Sequence, residues 1–230
     1  MNSIPISREQ PLERGSRNID IVIPTTHDIS MIVDVFDTHF HAVYVGKGAS
    51  RLPVLAIYAT YQEICKELER YRGKTLRELH DQAAADEHTQ ARGDFEVMHD
   101  DVQDPLHSMF EAGEIKHQIP ITEQIIEEAV RKMMPRKLDR YYILTTAVPC
   151  TPSDAVQQKI RDLRLRFKTQ IIVDGVLPTI RYYLRSLQNP SVVLENYVAL
   201  LKGDRAITHE HRVKWNDINL KGVSRSSPQA

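Results

Sequence analysis

Phe110-Glu111-Ala112-Gly113-Glu114-Ile115-Lys116-His117 is the stretch on which the reading of this chain turns. It reads as a short strand. Side chains two apart on a strand share a face. Glu114 and Lys116 therefore project side by side, Ile115 turns into a core on the other side, and Glu111 falls on the face opposite Glu114. A carboxylate can hold a divalent cation, and an ammonium beside it can steady a water or a phosphate oxygen. The pair suggests phosphodiester hydrolysis, but Glu-x-Lys is also a common solvated strand edge, so its neighbours must decide.

Upstream, Asp94-Phe95-Glu96-Val97-Met98 alternates polar and apolar, as a strand does. His99 to Ser108 carries Asp100, Asp101, Asp104 and Pro105 without a period and reads as a turn or hairpin loop. The result is an antiparallel hairpin that opens with Asp94 and ends with Glu114 and Lys116. Before it, Ser50 to Tyr71 reads as a helix, with Ser50 as N-cap, Pro53 in the first turn and Gly73 as the stop. Val54, Tyr58, Tyr61, Cys65 and Leu68 form its apolar stripe. Glu63 and Glu67 lie on its flank, as surface partners of Lys66 and Arg70. Thr75 to Gln90 is polar, part helix and part loop.

After the hairpin, Thr122 caps a helix whose apolar face is Ile125, Ile126, Ala129, Val130 and Met133, ended by Pro135. Tyr141 to Ala147 is a near-continuous run of β-formers, expected of a strand buried on both faces. Thr151-Pro152-Ser153-Asp154 matches a helix start, with Thr151 as cap. That helix buries Val156, Ile160, Leu163 and Phe167 and sets Gln157, Arg161, Arg164 and Lys168 on another face. Gln170 to Val173 is a further strand. Leu177 to Leu187 and Ser191 to Leu201 are helices, and Ile207 to Ile218 packs back through Val213 and Trp215. Residues 1 to about 18 form a loose arm, Asn18 to Pro24 alternates like a strand, and Asp28 to Phe40 suits a helix or a strand.

The order predicts an α/β fold with a mixed sheet. The 230 residues suit a single domain, preceded by an arm and accessory segment over 1–50 and followed by a tail over 224–230. A hydrophobic fraction of 41% and a charged fraction of 27% are ordinary for a globular protein. No apolar run approaches the roughly 18 residues of a membrane span, and the polar N-terminus lacks an apolar signal core. Cys65 and Cys150 are the only cysteines, which argues against a disulfide scaffold or zinc ribbon and suits a cytoplasmic location. The net charge of −1 hides an asymmetry. Val130 to Ala230 holds 18 Lys and Arg against 8 Asp and Glu, and the first 129 residues hold 12 against 23. Such a division fits a carboxylate cluster beside a polyanion-binding surface, as well as an uneven scatter of surface charge.

Gly93-Asp94, nineteen intervening residues, then Glu114-Ile115-Lys116 resembles the motif of the PD-(D/E)XK nuclease superfamily. The flanks agree: a helix before the motif, Asp94 opening one strand, Glu-x-Lys closing the next, then a helix and a buried strand. The texture of Arg51-Leu52-Pro53-Val54-Leu55-Ala56, Gly93-Asp94-Phe95-Glu96-Val97 and Arg140-Tyr141-Tyr142-Ile143-Leu144-Thr145-Thr146 is similar to type II restriction endonucleases of the SacI-like group. The resemblance covers about Arg51 to Val173. It implies a restriction-endonuclease-like α/β/α sandwich with extra C-terminal helices, the nuclease domain running over 51–223. Asp94 and Glu114 would hold Mg²⁺, and Lys116 would orient the attacking water and stabilise phosphate charge. DNA would be cut to 5′-phosphate and 3′-hydroxyl ends, by a homodimer on a palindromic site. Members often add a helix glutamate, a place for Glu63 or Glu67, and the stripe Arg161, Arg164, Lys168 would contact phosphates. The residue before the Asp is Gly93 where the family pattern expects Pro.

Two other readings compete. Asp37-Thr38-His39-Phe40-His41 resembles the His-x-His signature of amidohydrolase-like metal hydrolases, in which His39 and His41 would bind the metal. Too few strands follow for the eight-fold barrel those enzymes use. His209-Glu210-His211 is too close-set for a metalloprotease helix and reads as surface. Gly46-Lys47-Gly48 lacks the upstream Gly and the following Ser or Thr of a P-loop. The third reading is a DNA-binding module without catalysis.

Overall fold

A computed structural model describes residues 19–79, 93–102, 108–133 and 138–225. Its centre is one open, mixed sheet of five strands in sequential order: β1 (Lys74–Leu76), β2 (Phe95–His99), β3 (Met109–Lys116), β4 (Arg140–Thr145) and β5 (Gln170–Gly175). β1, β2 and β3 are antiparallel neighbours, and β3, β4 and β5 run parallel. The expected hairpin is present, with Phe95 opposite Gly113 and Glu96 opposite Ala112. β4 lies between two parallel partners and is buried from Tyr141 to Thr145, as its unbroken run of β-formers predicts.

Seven α-helices are present among the described residues: α1 (Ile29–Phe40), α2 (Arg51–Glu67), α3 (Glu123–Met133), α4 (Asp154–Phe167), α5 (Val176–Leu184), α6 (Val192–Gly203) and α7 (His209–Arg225). They cover both faces of the sheet. On one face α3 and α4 pack Ile126, Ala129, Val130, Val156 and Leu163 onto Tyr141, Ile143 and Ile171. On the other, α1, α2, α5, α6 and α7 form a single core with Phe95, Val97, Ile115, Tyr142 and Leu144. α1 supplies Ile32, Val33, Phe36 and Phe40 to that core. No described helix is long and apolar enough to cross a membrane.

Several local expectations change. Asp28 to Phe40 resolves as a helix because the Asp28 carboxylate accepts from the backbone N–H groups of Ser30 and Met31. Residues 19–28 lie in no strand. Their backbone is held by side chains of α7: Trp215 donates to the Val22 carbonyl and Asn216 accepts from the Val22 N–H, both at 2.8 Å. α2 ends at Glu67 instead of reaching Tyr71, and a 3₁₀ turn over Glu69–Tyr71 follows. Ser50 makes no capping side-chain bond, and the helix is buried on every side from Arg51 to Tyr61, because it lies between the sheet and the outer helices. α4 is capped by Ser153, not Thr151: the Ser153 hydroxyl accepts from Val156 N–H. β1 falls in the polar stretch expected to be helix and loop. The remainder of that stretch, the centre of the 99–108 loop, Pro135 and the end of the tail lie outside the described residues, and α7 extends to Arg225.

Two glycines on the hairpin are required by close approach. A Cβ at Gly113 would lie 2.2 Å from the Phe95 ring, and one at Gly93 would lie 2.4 Å from the Gly113 carbonyl oxygen. Gly93 thus stands in place of the expected Pro because the β3 backbone leaves no room for a side chain there.

Candidate active site

The parallel strands enter at Glu111, Arg140 and Gln170 and leave at Lys116, Thr145 and Gly175. Asp94 meets them near the leaving end. Its N–H donates to the Gly113 carbonyl at 2.7 Å, and its carboxylate Oδ2 accepts from the Ile115 N–H at 2.7 Å. Asp94 is thereby fastened to the backbone inside Glu-x-Lys. Burial pushes its carboxyl above the usual aspartate range; the Ile115 hydrogen bond opposes that shift and the charge of Glu114 adds to it. Arg51, at the N-terminus of α2, also exerts its positive field there, while its side chain is paired with Asp204 at 2.9 Å.

Glu114 and Lys116 lie side by side, and the Lys116 ammonium donates to Glu114 Oε1. A second ammonium reaches the same oxygen: Lys132 of α3 donates to Glu114 Oε1 at 2.9 Å. Tyr141 of β4 also hydrogen-bonds to Glu114. Burial pushes the Glu114 carboxyl up, but the Lys116 and Lys132 bonds outweigh it and hold it below the usual range. Of the expected residues, Asp94, Glu114 and Lys116 come together. Lys132 and Tyr141 join them, and no motif in the sequence distinguishes either as a site residue. A third carboxylate nearby, Glu96, is already engaged by Arg77 at 2.6 Å.

Glu63 and Glu67 are directed elsewhere. Glu63 pairs with Lys66 at 3.0 Å and accepts from Asn196 of α6; Glu67 accepts from the Gln188 N–H at 2.8 Å. The stripe Arg161, Arg164, Lys168 is exposed on α4. That helix runs back from the leaving end, so Lys168, its C-cap, sits near the strand entry, about 20 Å along the axis from Asp154. Arg161 donates to Gln158 on its own helix at 2.7 and 3.1 Å.

Among the described residues no group of three or more His, Cys, Asp or Glu side chains is arranged to hold a metal ion. Mg²⁺ does not need such a group, since it binds through one or two carboxylates completed by water and substrate phosphate. Asp94 and Glu114 supply hard oxygen donors of the right type, with Asp94 Oδ2 held in place by the Ile115 N–H, and so fit that ion.

His39 and His41 do not converge. The segment is a helix, where residues two apart lie on opposite sides. His39 is fully buried, with Nδ1 2.9 Å from the Tyr197 hydroxyl and Nε2 3.0 Å from the His211 carbonyl. A carbonyl only accepts, so Nε2 carries the proton, Nδ1 accepts from Tyr197, and no lone pair remains for a metal. His41 caps the helix and pairs with Asp37 at 2.9 Å. Its ring lies 6.5 Å from that of His117, which places the end of α1 beside Lys116. His211 is buried and not on the surface: its Nδ1 accepts from Thr208, and its ring packs against Tyr44. Glu210 accepts from the Val45 and Gly46 N–H groups.

Burial pushes the His39 pKa down to about 4. The unfolded chain takes up this proton near pH 6.5, and the folded protein only near 4. Between those values the unfolded state binds more protons, so stability falls as the solution is acidified, by about 3 kcal/mol at pH 4. Urea unfolding at pH 7 and near pH 4 is expected to show a shallower loss in His39→Gln than in wild type. Equal losses would remove His39 as the cause.

The chain matches no protein-family model, and no match is found among curated proteins.

Proposed function

We propose that this protein is a Mg²⁺-dependent, site-specific endodeoxyribonuclease with a restriction-endonuclease-like fold of the PD-(D/E)XK kind, cutting DNA to 5′-phosphate and 3′-hydroxyl ends. The observation that carries the reading is the bond from the Ile115 N–H to the Asp94 carboxylate. It ties a carboxylate from one hairpin strand to the Glu-x-Lys of the next, at the end of a mixed sheet where three strands are parallel.

A divalent ion between Asp94 and Glu114 would polarise the scissile phosphate and lower the pKa of an attacking water. The chain's own residues set the geometry for this. Asp94 is oriented by a backbone donor, so it needs no reorganisation when substrate arrives. Lys116, only partly exposed, supplies an ammonium that can donate to a phosphate oxygen as negative charge builds up. Tyr141, buried on the neighbouring strand β4, hydrogen-bonds to Glu114 and helps to fix it. Arg161 lies closest along α4 to this end of the sheet, and Arg164 and Lys168 would meet DNA only further along its length. A homodimer acting on a palindromic site, in the cytoplasm, completes the proposal.

The deciding experiment is digestion of a long DNA of mixed sequence with Mg²⁺. Discrete fragments are expected. Absence of any nick or break with Mg²⁺ or Mn²⁺ would replace this reading with a binding module.

A further inference from the structure

Glu114 Oε1 accepts from two ammonium groups, Lys116 and Lys132. The two lysines are not equivalent. Lys116 stands on the same strand and its side chain is 22% exposed; Lys132 reaches in from α3 and is 50% exposed, while the carboxylate between them is 9% exposed. Asp94, Glu114, Lys116 and Lys132 together form a charge-balanced quartet. A divalent cation on either oxygen of the Glu114 carboxylate would stand within a few ångströms of both ammonium groups and repel them. The lysine with the longer reach and greater exposure is the one free to leave.

We propose that Lys132 is a tethered counter-ion of the Asp94–Glu114 site, displaced from Glu114 by the incoming divalent cation and then available to a DNA phosphate. This rests on the metal-dependent reading above. Without metal, Lys132 holds the Glu114 carboxylate in place. With metal, both carboxylates are offset by the ion, and Lys116 and Lys132 become two surplus positive charges facing the substrate. The site would thus draw in polyanion after it has taken up its metal. Lys132 is a positioning residue here and a phosphate contact only once displaced.

The test is calorimetric titration with Ca²⁺, chosen to occupy the site without requiring turnover, on wild type, Lys132→Met, Lys132→Gln and Lys132→Arg. Removing one positive charge a few ångströms away is expected to tighten Ca²⁺ binding roughly tenfold in the Met and Gln variants. The Arg variant, which keeps the charge, is expected to bind like wild type. DNA binding measured in Ca²⁺ is expected to weaken in the neutral variants, with the slope of log affinity against log salt reduced by about 1. A merely structural lysine would not tighten metal binding when removed. Equal or weaker Ca²⁺ affinity in the neutral variants, with Mg²⁺-dependent cleavage present in wild type, overturns the counter-ion role alone. Failure of all four proteins to bind Ca²⁺ overturns it together with the metal-dependent reading.

Discussion

Glu114→Gln is expected to lower Mg²⁺-dependent DNA cleavage by on the order of 10³-fold or more while the protein stays folded. Glutamine preserves the volume of the side chain and a carbonyl oxygen that Lys116 and Lys132 can still donate to, so the packing beside Tyr141 of β4 is retained. It removes the negative charge. Asp94 then faces any divalent ion alone, and an ion with two ammonium groups at its edge and a single carboxylate to offset it is poorly held. Folding tolerates the change because Lys132 is half-exposed and Lys116 partly so, and water can solvate the ammonium groups once they lose their counter-ion. DNA binding without turnover is expected to persist, since the cations that meet phosphate remain. A second readout accompanies the first. The charge of Glu114 helps to raise the Asp94 carboxyl, so in Glu114→Gln the Asp94 titration, followed by NMR, moves down toward its ordinary range. Cleavage at the wild-type rate by Glu114→Gln would end the nuclease reading at this site.

The hairpin that makes this prediction possible was legible in the residues. Alternation over Asp94 to Met98 and a period-free acidic loop mark one strand and its turn, and reading Phe110 to His117 as the returning strand puts Glu114 and Lys116 on one face. The buried run at Tyr141 marks the central strand equally well. What escaped is long-range. Lys132 sits on the flank of an amphipathic helix, and nothing in the pattern of α3 separates a lysine that reaches a carboxylate eighteen residues away from one that points into water. β1 is three residues of an edge strand within a polar stretch, too short for a period. α2 carries a clear apolar stripe, yet its polar flank is buried as well, because helices from the far end of the chain cover it. Helix spacing sets Arg70 beside Glu67, three residues back, and in the fold it pairs instead with Glu111. Periodicity reports which side of an element is apolar; it carries no information about which distant element supplies the partner.

That last pairing leads to the largest expected effect on stability. Glu111→Ala is expected to destabilise the protein by about 3 kcal/mol, toward the lower end of the 3–5 kcal/mol range for a broken buried pair. Glu111 is fully buried on β3, three residues before Glu114 and on the opposite face. Its carboxylate accepts from the Tyr71 hydroxyl at 2.6 Å and from the Arg70 guanidinium. Removing it strands a buried tyrosine hydroxyl without its acceptor and a guanidinium without its counter-ion, and leaves a cavity against the 3₁₀ turn. Arg70 is 32% exposed and stacks on the Tyr71 and Phe110 rings, so part of its charge can be satisfied by water and by those π faces, which sets the effect near the lower limit. Glu111→Gln keeps the volume and one acceptor and is expected to fall between alanine and wild type. Urea midpoints read the series. Because the two carboxylates lie on opposite faces of one strand, Ca²⁺ affinity at Asp94 and Glu114 is expected to stay at the wild-type value in folded Glu111→Gln. An unchanged midpoint in Glu111→Ala would refute the structural role. Loss of Ca²⁺ binding with an unchanged midpoint would place Glu111 in the metal site and overturn the division of the strand into a functional and a structural face.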